Sequence, residues 1–143
     1  MTARVRFDEV NVGTALPERT FHLRRADLVR YAGASGDFNP IHWNDRVAAE
    51  VGLPGVIAHG MLTMAKAAQA VTDWLGDPGA ILEVAVRFTR PVLVPDDDEG
   101  ATLLAAGRVV EKFSEDHRAK VELTVHAGED KVLGRAQAIV RLR

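Results

Sequence analysis

The sequence predicts an α+β fold in which a curved antiparallel sheet wraps around one long central helix. Apolar residues dominate residues 60–75 and leave a narrow polar stripe, which indicates a helix buried on most of its circumference. Beyond residue 78, apolar and polar residues alternate, as they do in strands that are buried on one face. Short turns separate these alternating segments, and such turns favour antiparallel pairing.

The first half of the chain is predicted to be rich in loops and helices. Residues 25–34 are predicted to form a short helix that Gly33 and Gly36 end, although no Ser, Thr or Asp precedes it as an N-cap. The stretch that follows is irregular as far as residue 60, because glycine and proline recur in it. Within it, residues 44–51 are predicted to form another short helix, with Asn44 or Asp45 near its start.

The predicted central helix occupies residues 60–75 and is followed by the strands. Its polar stripe recurs at spacings of three and four and consists of Thr63, Lys66, Gln69 and Asp73. Gly76 and Pro78 are predicted to end the helix. Strands are predicted near residues 82–88, 103–109, 121–125 and 132–142, with turns at 95–100, 114–117 and 128–130. A sheet of this kind leaves one edge and one face uncovered, which predicts a dimer.

The bulk properties predict one domain over residues 1–143 and exclude several classes of function. Of the 143 residues, 47% are hydrophobic and 27% are charged, as in ordinary globular domains. A net charge of −2 argues against binding to nucleic acid. The absence of cysteine excludes disulfides, cysteine-based zinc sites and thiol catalysis. No segment predicts a secretory signal or insertion into a membrane, so a cytoplasmic location is expected.

Residues 36–42 predict a rigid turn that holds an acid, an amide and an imidazole close together. Gly36 allows backbone conformations that other residues rarely adopt, and Pro40 keeps Asn39 out of helical geometry. The carboxylate of Asp37 and the imidazole of His42 can share acid–base chemistry near neutral pH. On spacing alone, the favoured alternative is that the aspartate and asparagine merely stabilise the turn. No metal is predicted, because no other histidine stands at a familiar ligand spacing.

The start of the central helix, at His59 and Gly60, is a second candidate site. A helix N-terminus presents unpaired N–H groups and a partial positive charge. Glycine lets a ligand approach the backbone, which would suit a thioester oxygen that gains negative charge during a reaction. From the residues alone, the favoured alternative is that Gly60 only begins the helix and His59 is a loop or core residue.

Three segments resemble one known family. Residues 31–42 read Tyr-Ala-Gly-Ala-Ser-Gly-Asp-Phe-Asn-Pro-Ile-His and precede Ala48 by a five-residue gap. This pattern resembles the hydratase-2 signature of the MaoC-like family. Residues 55–61 and 86–92 resemble that family's entry to its central helix and its first long strand. The resemblance covers essentially the whole chain and implies a hot-dog fold. The chain is especially similar to catalytic B subunits of actinobacterial (3R)-hydroxyacyl-acyl-carrier-protein dehydratases.

The resemblance implies a hydro-lyase in type II fatty acid or mycolic acid elongation. Family members hydrate trans-2-enoyl thioesters of acyl carrier protein or coenzyme A, or dehydrate (3R)-hydroxyacyl thioesters. It implies that Asp37 and His42 activate the water, that Asn39, Gly60 and His59 contribute to substrate binding, and that no cofactor is needed. A second hot-dog subunit, either a copy or a related non-catalytic chain, is the expected partner. The alternatives are a hot-dog thioesterase and a non-catalytic acyl-binding subunit; the intact acid–base motif argues against both.

Overall fold

An antiparallel sheet dominates the fold. The computed structural model describes residues 3–143, and within them the strands are β1 (Arg19–Leu23), β2 (Ile81–Phe88), β3 (Ala101–Phe113), β4 (Arg118–Ala127), β5 (Asp130–Lys131) and β6 (Leu133–Arg141). They pair in the order β1-β3-β4-β6-β2, with β5 beside β4. Every pairing is antiparallel, which confirms the predicted sheet.

Two of the strands lie outside the predicted segments. β1 belongs to the half of the chain that was expected to hold loops and helices, and it pairs with β3 at one edge of the sheet. Only Phe21 and Leu23 of its five residues are buried, so its alternation is too short to stand out in the sequence. β5 has two residues and begins at Asp130, inside a predicted turn.

The predicted helices are present as α1 (Arg25–Ser35), α2 (Asp45–Glu50) and α3 (Gly60–Leu75). No side chain caps the first N–H groups of α1, but the carboxylate of Asp27, in its first turn, accepts a hydrogen bond from the Arg24 N–H at 2.8 Å. Asn44 caps α2 by accepting from the Val47 N–H at 3.1 Å. None of the helices in residues 3–143 combines the length and the apolar character that crossing a bilayer requires.

Helix α3 packs one face against the sheet and leaves the opposite face exposed. It contacts β2, β3, β4 and β6, and its buried residues are Leu62, Thr63, Ala67, Ala70, Val71 and Leu75. The exposed row recurs every four residues and consists of Met61, Ala65, Gln69 and Asp73. The other twelve residues are buried or half-buried, which confirms the expected burial of most of the circumference, but Thr63 is core rather than part of a polar stripe. Alanine and methionine are apolar on both faces, so composition could not tell the faces apart.

A short backbone ladder holds the loop before α3 beside the segment that follows β2. The Ala58 N–H donates to the Val92 carbonyl at 2.8 Å, and the Val94 N–H donates to the Val56 carbonyl at 2.9 Å. Val56 and Val94 are fully buried. Because the loop before α3 is fixed in this way, the first turn of the helix has a defined position relative to the sheet.

Candidate active site

The turn between α1 and α2 is held together by its own polar side chains. Gly36 adopts a φ of 77° and ends α1. The N–H of Asn39 donates to Oδ1 of Asp37 at 3.1 Å, and the N–H of Ile41 donates to Oδ1 of Asn39 at 3.3 Å. The turn-stabilising role of the aspartate and asparagine is thus real. The hydrogen bond within the turn uses Oδ1 of Asp37, and the other carboxylate oxygen faces His42.

Asp37 and His42 face each other across a short gap. Oδ2 of Asp37 lies 3.9 Å from Nε2 of His42, too far for a direct hydrogen bond. One water fits between these atoms, since two hydrogen bonds of about 2.8 Å can span the gap. Nδ1 of His42 lies 2.7 Å from the Ile57 carbonyl, which can only accept. Nδ1 therefore carries the hydrogen, and Nε2 of the neutral ring presents a lone pair to the gap.

Gly60 begins α3 on the other side of the site. As the first helical residue, it has an N–H with no partner inside the helix. A Cβ at this position would lie 3.0 Å from Cδ1 and Cε1 of Phe88. Glycine therefore keeps the space beside this N–H open, and any larger residue would press on the phenylalanine ring.

A cavity of about 360 Å³ extends from His42, at the end of the acid–base turn, to the start of α3, and Asp37 is not among its lining residues. His42, Gly60 and Thr63 supply polar groups to its wall. The apolar part of the wall consists of Ile57, Phe88, Pro91, Val92, Val132 and Leu133. An apolar cavity with a few convergent polar groups is typical of a small-molecule site. The structure thus brings together two candidate sites that lie 18 positions apart in the sequence, counted from His42 to Gly60.

His59 lies behind His42 rather than at the mouth of the cavity. It is 1% exposed, and its ring stacks on that of His42 with centroids 3.8 Å apart and planes 22° apart. Its Nε2 atom donates to the Asp37 carbonyl at 3.1 Å. Burial lowers the pKa of His59 below its usual value; the Asp37 carbonyl partly opposes this shift, and the neighbouring His42 adds to it.

The donor atoms of Asp37, His42 and His59 lie within 4.8 Å of one another. Two ring nitrogens are already hydrogen-bonded, because Nδ1 of His42 and Nε2 of His59 both donate to carbonyls. The two rings also stack, so their in-plane lone pairs do not converge on one point. This geometry fits proton transfer better than ligation, and the absence of a metal stays a prediction.

Three further residues contribute to the site without having been singled out from the sequence. Ile57 acts through its backbone carbonyl, which orients His42, and no side-chain pattern signals such a role. Phe88 ends β2 and was assigned only to the strand alternation. Thr63 follows Gly60 by three residues and so lies on the same helix face, which is the one signal that could have found it.

The chain matches the profile of the MaoC like domain over residues 9–129. It is 39% identical over 79 residues to 3-hydroxyacyl-thioester dehydratase X of Mycobacterium tuberculosis. That match covers 55% of this chain and 27% of the relative. A solved structure named MaoC-like dehydratase superposes with a TM-score of 0.95 at 41% identity, covering 99% of this chain and 44% of the other.

The unliganded R-hydratase PhaJ1 of Pseudomonas aeruginosa superposes with a TM-score of 0.82 at 30% identity. This superposition covers 99% of this chain and 88% of the hydratase. The chain therefore spans most of the length of this structure, but less than half the length of dehydratase X and of the MaoC-like dehydratase.

Proposed function

The chain belongs to the MaoC-like domain family, and on that premise we propose that it adds water reversibly to trans-2-enoyl thioesters, giving (3R)-hydroxyacyl thioesters. Relatives named dehydratase and R-hydratase correspond to the two directions of this one reaction. The proposed substrate is an acyl chain of fatty acid metabolism on a phosphopantetheine thioester, the group that coenzyme A and acyl carrier protein share.

The observation that carries the proposal is the 3.9 Å gap between Oδ2 of Asp37 and Nε2 of His42. Both atoms accept hydrogen bonds in the state described above, so a water between them would donate both of its hydrogens. Its oxygen lone pairs would then point away from the two side chains. A water held in this way is oriented for nucleophilic attack, which is the first requirement of hydration.

In the proposed hydration, the acid–base pair removes a proton from the water as its oxygen bonds to C3. The electrons of the C2=C3 bond move toward the thioester carbonyl, which becomes enolate-like. The pair then returns the proton to C2, so one water is added and no electrons are gained or lost. Since the reaction is redox-neutral and needs only proton transfer, we propose that neither a metal nor an organic cofactor takes part.

Gly60 is proposed to stabilise the enolate-like state. Gly60 lies at the positive end of α3 and lines the same cavity as His42. With the thioester oxygen at the Gly60 N–H and the water at the acid–base pair, the substrate presents one face to the water. Addition to a single face gives a single enantiomer, and the R configuration is the one named for the hydratase relative.

A second hot-dog subunit is proposed to cover the exposed edge beside the site. β2 is an edge strand paired with β6, and it exposes Leu82 by 43% and Phe88 by 54%. Met61, one residue after Gly60, is 55% exposed. A subunit that extends the sheet at β2 would therefore cover apolar surface and close the cavity from the outside.

The test is a hydration assay on trans-2-enoyl-coenzyme A esters of graded chain length, followed by loss of the enoyl absorbance. Free thiol is measured in parallel with a thiol reagent. We expect the absorbance to fall with no thiol released. Release of thiol would show a thioesterase instead, and binding of the enoyl thioester without turnover, with or without a related subunit, would show a non-catalytic acyl-binding chain.

A further inference from the structure

His59 is the most deeply buried ionisable group of the site. Its ring lies between the ring of His42, 3.8 Å away, and the edge of Tyr31, 4.7 Å away between centroids. Its Nε2 atom reaches the carbonyl of Asp37 at 3.1 Å. At 1% exposure, this side chain has little surface left for a substrate. Its contacts are instead with both members of the acid–base pair.

The hydrogen bonds of His59 define its protonation state. The Asp37 carbonyl accepts, so Nε2 carries a hydrogen. Nδ1 is buried and has no hydrogen-bond partner among the described residues. A hydrogen on Nδ1 would be a buried, unpaired donor on a charged ring next to His42, which is unfavourable on both counts. His59 is therefore neutral, with its hydrogen on Nε2, while His42 exchanges protons beside it.

His59 also connects the two halves of the site along the chain. It is the N-cap residue of α3, and its carbonyl accepts from the N–H groups of Leu62 and Thr63 at 3.0 and 3.2 Å. The next residue is Gly60. One residue thus fixes the start of the helix through its backbone, while its side chain holds the backbone of Asp37 and the ring of His42.

We propose that His59 is a positioning residue, which sets the distance between the acid–base pair and the Gly60 N–H and does not itself bind substrate. This inference rests on the proposed function, because it assigns the two halves of the site to one reaction. The hydrogen bond to the Asp37 carbonyl fixes the turn, and the stacked ring fixes the plane of His42. Loss of either contact lets the water and the thioester oxygen drift apart.

The test compares three variants of the full chain. His59→Phe keeps a stacked ring but removes the hydrogen-bond donor, and His59→Gln keeps a side-chain N–H donor but removes the ring. His22→Gln is the control, because His22 is an exposed histidine on β1. We expect His59→Phe to lower kcat about 10²-fold, the effect of a misplacement near 1 Å, with KM changed less than about threefold. The glutamine variant should recover part of kcat, and the control should match the wild type.

A second readout does not depend on turnover. Amide hydrogen exchange at Asn39 and Ile41 reports whether the Asp37 turn is held, because both N–H groups close that turn. We expect at least about tenfold faster exchange in His59→Phe and near wild-type exchange in His59→Gln. If the phenylalanine variant does not fold, the glutamine variant decides: slow exchange with a lowered kcat and an unchanged KM supports the proposal, and fast exchange, a wild-type kcat or a raised KM overturns it.

Two other results would overturn the assignment of His59. A raised KM with unchanged kcat would make it a substrate-binding residue. A lower Tm with unchanged kcat and unchanged exchange would make it a merely structural one. If the wild type hydrates no enoyl thioester, the proposed function fails, whereas the exchange experiment still measures whether His59 holds the turn.

Discussion

Adding one methyl group at residue 60 tests the role of the Gly60 N–H. The new Cβ would lie 3.0 Å from Cδ1 and Cε1 of Phe88 and 3.3 Å from Cγ, so the ring must move by a few tenths of an ångström. Phe88 is 54% exposed, and this movement should therefore cost little. Alanine also loses less backbone entropy than glycine on folding, by about 0.5–1 kcal/mol. We expect Gly60→Ala to unfold at nearly the wild-type temperature.

The catalytic effect of Gly60→Ala should be much larger than its effect on stability. Gly60 and Phe88 both line the cavity, so the methyl group and the displaced ring should narrow it near the N–H, where the thioester oxygen is proposed to dock. Loss of one oxyanion donor typically lowers kcat by about 10²–10³, and we expect a loss near the lower figure because the N–H itself remains. The measurement is kcat for a short trans-2-enoyl-coenzyme A ester, together with Tm.

Gly33→Ala is the matched control for this substitution. Gly33 lies within α1, and a Cβ there meets nothing within 4 Å. We expect it to raise stability by about 0.5–1 kcal/mol and to leave turnover unchanged. If Gly60→Ala kept full activity in a folded protein, the thioester oxygen would not dock where the added methyl group narrows the cavity. Equal losses of activity in both variants would refute the steric reasoning.

Three further predictions address the acid–base pair, acid stability and assembly. Asp37→Asn should fold normally, and its kcat should be about 10²–10⁴ times lower than that of the wild type. The control, Asp98→Asn in the exposed turn before β3, should keep the wild-type kcat. Equal kcat in the two variants would show that Asp37 takes no part in catalysis. The lowered pKa of His59 means that below about pH 6.5 the unfolded chain binds a proton that the folded chain does not. The wild-type Tm should thus fall more steeply than that of His59→Gln as the pH drops from about 7 to about 5, and parallel curves would contradict this. Leu82→Glu should shift the mass in analytical ultracentrifugation from dimer toward monomer, whereas Leu104→Glu, at a similarly exposed leucine of β3, should not; identical masses would argue against pairing at β2.

The fold was predictable where local signals were strong and repeated. α3 begins at Gly60 and ends before Gly76, as predicted, because fifteen mostly apolar residues lie between two glycines. The strands after it were found because their alternation extends over several residues each. β1 was missed because only Phe21 and Leu23 carry its pattern. Gln69 and Asp73 of the exposed row of α3 were predicted, whereas Met61 and Ala65 were missed because they resemble core residues.

The sequence predicted the parts of the site that are marked by side-chain motifs. The spacing showed that an acid and an imidazole share one turn, the resemblance to the hydratase-2 signature favoured a catalytic role for Asp37 and His42, and the structure places them 3.9 Å apart. The carbonyl of Ile57 and the ring of Phe88 contribute through tertiary contacts that have no local signature. From the residues alone a loop or core position was favoured for His59, whereas the resemblance implied that it contributes to substrate binding. Its side chain lies behind His42 instead, as its hydrogen bond to the Asp37 carbonyl shows.

The most direct test of the central claim is the mass of the product formed from a short trans-2-enoyl-coenzyme A ester. Hydration by Asp37 and His42 predicts a product with the thioester intact and the mass of the substrate plus one water, formed by the wild type and by Asp98→Asn but not by Asp37→Asn. Chiral analysis of that product should give the (3R) enantiomer. A free carboxylic acid with released thiol, or the intact hydrated thioester formed equally fast by Asp37→Asn, would contradict the account.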